Sequence, residues 1–132
     1  MTEVLLVCSK NGEFRCCEAK GHSGFAAKGK DIVCAAESCI LGTALSFLEE
    51  TESMIKSICL EIRKDTASRG KLAFSVEVKC SDGYSTAKND LGRESLILSE
   101  RLKSAADFIR IGISSIAHEY PEYVQLREIN EA

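Results

Sequence analysis

The pair Asn11-Gly12 stands between two short runs of strand-forming residues, Val4 to Cys8 and Phe14 to Ala19. No other feature constrains the fold as much. Asn-Gly is the preferred pair of a tight two-residue hairpin turn, where both positions need positive φ. The two runs are therefore expected to pair antiparallel. A loop from Gly21 to Lys30 follows, and Asp31 then reads as a helix N-cap, its carboxylate accepting from free N–H groups of the first turn. Behind it Ala36, Ile40, Ala44 and Phe47 recur at helical spacing, flanked by Leu41, Leu45 and Leu48, which predicts a helix to about Glu50. Ile58 to Ile62 reads as a third strand. Leu72, Phe74, Val76 and Val78 alternate with Ala73, Ser75, Glu77 and Lys79, the pattern of a half-buried fourth strand.

The polar stretch from Cys80 to Glu94, with Asp82-Gly83 as a turn, carries no clear period. A long helix then places Leu98, Leu102, Ala105, Ile109, Ile113 and Ile116 on one face and ends before Pro121. Tyr123 to Glu128 reads as a short last strand at a sheet edge. The order β-β-α-β-β-α-β implies an α+β fold, a small mixed or antiparallel sheet with two main helices. The 132 residues suit one domain, 1–132, with a core large enough to need no staples.

Composition narrows the function classes. The 45% apolar and 28% charged fractions are those of an ordinary globular protein. No run approaches the roughly 18 consecutive apolar residues of a membrane span. The start, Met1-Thr2-Glu3-Val4, has neither the basic region nor the cleavage site of a secretory signal. The expectation is a cytoplasmic protein with no membrane partner. A net charge of −3 argues against nucleic acid as a direct partner. Glu49, Glu50 and Glu52 suit either a basic partner or a solvated helix end.

Seven cysteines (Cys8, Cys16, Cys17, Cys34, Cys39, Cys59 and Cys80) are an odd number, expected as free thiols in a reducing cytoplasm. Cys16, Cys17, His22, Cys34 and Cys39 crowd one third of the chain. They lack the paired Cys-x-x-Cys of structural zinc sites, so no metal and no cofactor are expected. Cys8, Cys16 or Cys17, Cys59 and Cys80 fall in strand-like runs, where cysteine usually serves as a small buried hydrophobe.

Cys34 differs from these. With Asp31 as N-cap it is the third residue of a helix, where its sulfur would lie among unpaired backbone N–H groups at the positive end of the helix dipole. That setting favours the thiolate, the nucleophilic form, although Asp31's own charge opposes it. The same N–H groups offer a place for the oxyanion formed when a peptide carbonyl is attacked. His22 lies in a loop that can fold back over the helix start, where a neutral imidazole would take the thiol proton and later protonate the leaving amine. Ser38, one turn beyond Cys34, faces the same way and can bond the sulfur, the substrate or the helix backbone. Gly21, Gly24 and Gly29 let the loop approach a bound peptide closely. Taken alone, these residues favour a buried Cys34 and an incidental His22.

The run Gly21-His22-x-Gly24, then Gly29-x-Asp31-Ile32-Val33-Cys34-Ala35-Ala36-x-Ser38, resembles the signature of the ribosomal-processing cysteine proteases, the Prp family. The Asn-Gly hairpin, the helix closing in Leu48-Glu49-Glu50, and Ser115 to Val124 resemble the family as well, so the likeness spans most of the chain. It implies a small α+β homodimer that removes an N-terminal extension from a large-subunit ribosomal protein (number twenty-seven). The partner would then be a ribosomal protein precursor peptide. By match to the motif, Cys34 corresponds to the nucleophile and His22 to the base. Asp31 and Ser38 correspond to supporting residues, as do Gly21, Gly24 and Gly29 along the bound peptide.

Two features depart from the family pattern. Position 37, usually small and apolar, is Glu37, whose charge would oppose the thiolate or meet a basic substrate, unless it is simply a solvent-facing helix residue. The chain is also longer than typical members, with the addition placed between Cys80 and Glu94. Two rivals remain from other classes. One is a catalytically silent module that binds the ribosome or a ribosomal protein. The other is a thiol redox protein, disfavoured by the missing Cys-x-x-Cys.

Overall fold

In the computed structural model the described residues are 1–21, 31–65, 71–79 and 88–131, with side chains described from 92 in the last of these. Five strands and two helices run in the expected order: β1 (Thr2–Cys8), β2 (Phe14–Lys20), α1 (Ile32–Met54), β3 (Cys59–Asp65), β4 (Lys71–Lys79), α2 (Lys88–Glu119) and β5 (Val124–Asn130). The sheet is mixed, in the order β3-β4-β2-β1-β5. β5 runs parallel to β1 at the edge, and the other pairs are antiparallel.

The first hairpin forms, but not through a two-residue turn. Gly12 has φ +87, while no non-glycine residue among those described has positive φ, so Asn11 does not take the expected conformation. The loop is Lys10 to Gly12, closed by Ser9 N–H donating to the Glu13 carbonyl at 2.8 Å and Gly12 N–H donating to the Ser9 carbonyl at 2.9 Å. The Ser9 hydroxyl accepts from the N–H groups of Asn11 and Glu13. This is the three-residue alternative, a turn followed by a left-handed glycine. The extra residue is absorbed by a register shift between Val7 and Cys8.

Every second residue of β1 (Val4, Leu6 and Cys8) is fully buried, as are Phe14 and Cys17 of β2. The rings of Phe14 and Phe74 stack at 5.4 Å. On α2 the predicted face is the observed one: Leu98, Leu102, Ala105, Ile109 and Ile113 are buried, with Ile116 packed against the core. That helix begins at Lys88, so the second half of the stretch that carried no period is helical.

α1 outruns its predicted end by a turn, and its buried stripe is rotated by one residue from the predicted one. Val33, Glu37, Leu41, Ala44, Leu48 and Thr51 face inward. By length and composition α1 is apolar enough to cross a membrane. Its apolar inner face packs on α2 and β3, and a glutamate stands within that face.

The strand cysteines divide. Cys8 and Cys17 are buried and Cys16 is half-buried, but Cys59 is exposed, against expectation, because β3 is an edge strand. Burial pushes the Cys17 thiol up to about 12, which leaves it a hydrophobe with no acid–base role near neutral pH. Cys80 lies outside the described residues.

Candidate active site

The start of α1 is built as a cap. Asp31 has extended backbone angles, φ −81 and ψ 99, and its Oδ1 accepts from Val33 N–H and Cys34 N–H at 3.0 Å each. The Asp31 carbonyl accepts from Ala35 N–H at 3.1 Å. This corrects one sequence expectation. Two of the amides offered to an oxyanion are already held by the Asp31 carboxylate, so they stabilise the helix start instead.

Sheet register brings three strand ends to this helix start. Glu3 of β1 pairs with Lys20 of β2, and Lys20 pairs in turn with Lys71 of β4. The first residues of β1 and β4 and the last of β2 therefore lie side by side. Together with the first turns of α1 they enclose a cleft of about 210 Å³, lined by Thr2, Ala19, Gly21, Cys34, Glu37, Ser38, Leu41, Lys71 and Leu72. Cys34 is half-buried, and Ser38 is exposed on the same wall. Gly21 has φ +92, and a Cβ there would stand 2.5 Å from the Met1 carbonyl oxygen. Only glycine fits both that angle and that approach.

Of the residues singled out in the sequence, Cys34, Ser38 and Gly21 thus meet at one cleft, with Asp31 holding the helix that carries two of them. His22, Gly24, Gly29 and the loop that bears them lie outside the described residues. Thr2, Lys71 and Leu72 were not singled out as site residues. They join through strand pairing, which leaves no local mark in the sequence. Among the described residues, no three histidine, cysteine, aspartate or glutamate side chains converge as metal ligands.

Glu37 is not a solvent-facing residue. It is 5% exposed, and its Oε1 has no hydrogen-bond partner among the described residues. The Thr2 hydroxyl, also buried and unpartnered, lies close enough to favour the carboxylate but does not reach hydrogen-bond geometry with it. Burial pushes the Glu37 carboxyl up to about 7. The Thr2 hydroxyl opposes this, the charge of Asp31 adds to it, and the N-terminal ammonium opposes it more weakly.

Between about 4.5 and about 7 the folded protein holds a proton that the unfolded chain has lost, so stability falls as pH rises through that window. Glu37→Gln should remove the fall. Urea midpoints at pH 5 and pH 8 are expected to converge in the variant, whereas wild type loses up to roughly 3 kcal/mol across the interval. Equal pH dependence in the two proteins would show that Glu37 is not the titrating group.

Comparison with solved structures gives the same fold. The essential ribosomal processing protease Prp from Staphylococcus aureus, in complex with a covalently linked product peptide, superposes with a TM-score of 0.58 at 19% identity over 97% of this chain and 99% of that one. The same protease in complex with a substrate peptide gives 0.53 at 19% identity, again over 97% and 99%. A Streptococcus mutans protein gives 0.60 at 21% identity over 99% and 96%. At these identities the likeness is one of fold. A search of the curated proteins finds no match. The sequence model described as cysteine protease Prp matches residues 1–125, nearly the whole chain, and the protein belongs to that family of peptide hydrolases.

Proposed function

We propose that the chain works as one protease domain, residues 1–132, which removes an N-terminal extension from a large-subunit ribosomal protein (number twenty-seven) during bacterial ribosome maturation. It does so in the cytoplasm and as a homodimer. The observation that carries this reading is the placement of Cys34. In a member of a cysteine protease family, it opens from a capped helix start onto a cleft framed by three strand ends. A structural relative named as a ribosomal processing protease carries a covalently linked product peptide, which supports a covalent route. The exposed Phe108 and Ile111 on α2 support a homodimer, since they leave apolar surface for a second copy to cover.

The chemistry is acyl transfer. Cys34 Sγ attacks the scissile carbonyl carbon while His22 takes the thiol proton. The C–N bond then breaks, and the leaving amine receives that proton from His22. The S–C bond of the remaining thioester is cut by water, which restores the thiol. Asp31 holds the helix start, and Ser38, Gly21, Gly24 and Gly29 line the path of the peptide.

Incubation with the host's own ribosomal protein precursor, followed by intact-mass measurement, tests the reading. A single cut within the N-terminal extension is the expected result. Tight binding of the precursor without cleavage would instead assign a silent binding module.

A further inference from the structure

The reading just given leaves Glu37 without a task, yet its position is unusual. It occupies the inner stripe of α1 between Val33 and Leu41, where the neighbouring inward positions are apolar. It is one turn from Cys34, lines the same cleft, and is buried below the cleft surface with Oε1 unpartnered among the described residues. A buried polar atom without a partner is costly, and a buried charge more so. Such a group persists most readily where an incoming ligand completes it.

The surroundings set the sign of that ligand. Asp31 adds a second negative charge at the head of the same helix. Lys71, the cationic side chain among the described residues on the cleft wall, is directed to Glu18 at 3.4 Å, and Lys20 joins the same carboxylate at 3.0 Å. The N-terminal ammonium acts on Glu37 more weakly than Asp31 does. The Thr2 hydroxyl lies beside the Glu37 carboxylate without a hydrogen bond to it, so the cleft beside Cys34 holds a negative charge that no cation among the described residues pairs.

We infer that Glu37 is a specificity residue, whose carboxylate receives a lysine or arginine side chain of the bound peptide close to the scissile bond. This rests on the protease reading above and names the class of peptide that the cleft selects. Pairing the two charges away from water yields a charge-assisted hydrogen bond, which is stronger than a neutral one.

A peptide series tests it. In a peptide spanning the cut site of the precursor, a single lysine is scanned through the positions on either side of the scissile bond. Each lysine peptide is compared with its norleucine counterpart. At one position wild type should show kcat/KM about tenfold or more higher for lysine. Glu37→Gln and Glu37→Val should both bring that ratio to near unity while still cutting the norleucine peptide. The glutamine variant keeps the shape and an acceptor oxygen, so loss of preference in it traces to charge. Cleavage of the series with no lysine preference at any position, or a preference that survives in Glu37→Val, overturns the assignment and leaves the protease reading intact. If no peptide is cut by wild type, the protease reading itself falls, and this assignment with it.

Discussion

Cys34→Ala should lower cleavage of the precursor by at least about a thousandfold, with folding intact, because a nucleophile has no substitute in acyl transfer. Cys34→Ser should fail nearly as completely, since a hydroxyl is far harder to deprotonate than a thiol. His22→Ala should show a comparable loss. The double variant should fall no further than either single one, because a nucleophile and its base act as a unit. The control lies on the same helix. Cys39, five residues on, is an exposed thiol outside the cleft, and Cys39→Ser should keep full activity. Intact-mass assays over a time course, with circular dichroism to confirm folding, read all five proteins. Full activity in Cys34→Ala would be fatal to the proposed mechanism.

The site's chemistry could be read in the sequence because it is local. Asp31 three residues before Cys34 is a cap motif, and the two amides it holds are those the motif predicts. What surrounds the thiol was not legible. Thr2 arrives through the pairing of β1 with β2 beside Glu3 and Lys20, and Lys71 and Leu72 through the pairing of Lys20 with Lys71 and of Ala19 with Leu72, contacts across some fifty residues of chain. The inner stripe of α1 was misplaced for a different reason. α1 is apolar on more than one face, so Ala36, Ile40 and Phe47 offered a stripe as plausible as the real one. A charge at the centre of the real stripe pointed away from it. Spacing was the available clue, since Glu37 stands four residues from both Val33 and Leu41.

The elements themselves were legible wherever period and burial agree. α2 shows this from Leu98 to Ile113. Its first turns, from Lys88, were missed because Leu91 is the one large apolar residue between Lys88 and Glu94, too few to show a period. The first turn was misassigned because Asn11-Gly12 fits two loop lengths. The Ser9 hydroxyl, bonded to the amides of Asn11 and Glu13, supports the longer one.

β4 shows how far alternation alone can be trusted. Leu72, Phe74, Val76 and Val78 share one face and read as equals in the sequence, yet Phe74 is 1% exposed and Val78 is 38% exposed. Phe74 lies opposite Cys17 of β2 and stacks on Phe14, while Val78 lies opposite Leu60 near the end of the sheet. Phe74→Ala should therefore cost about 3–5 kcal/mol, through lost transfer energy and the cavity left beside Phe14. Val78→Ala should cost less than about 1 kcal/mol, because more than a third of the residue is already exposed to water. Against a total stability of about 5–15 kcal/mol, the first change should lower the midpoint of thermal unfolding by about ten degrees or more. The second should barely move it. Phe74 is absent from the cleft lining, so its loss should reduce the folded fraction without changing the rate per folded molecule. Thermal unfolding and single-turnover cleavage below the transition, measured on the same two variants, separate these effects. Equal destabilisation by both substitutions would mean that Val78 is covered in solution by something beyond this chain's own fold, and a second copy docked along that edge would be the first candidate to look for.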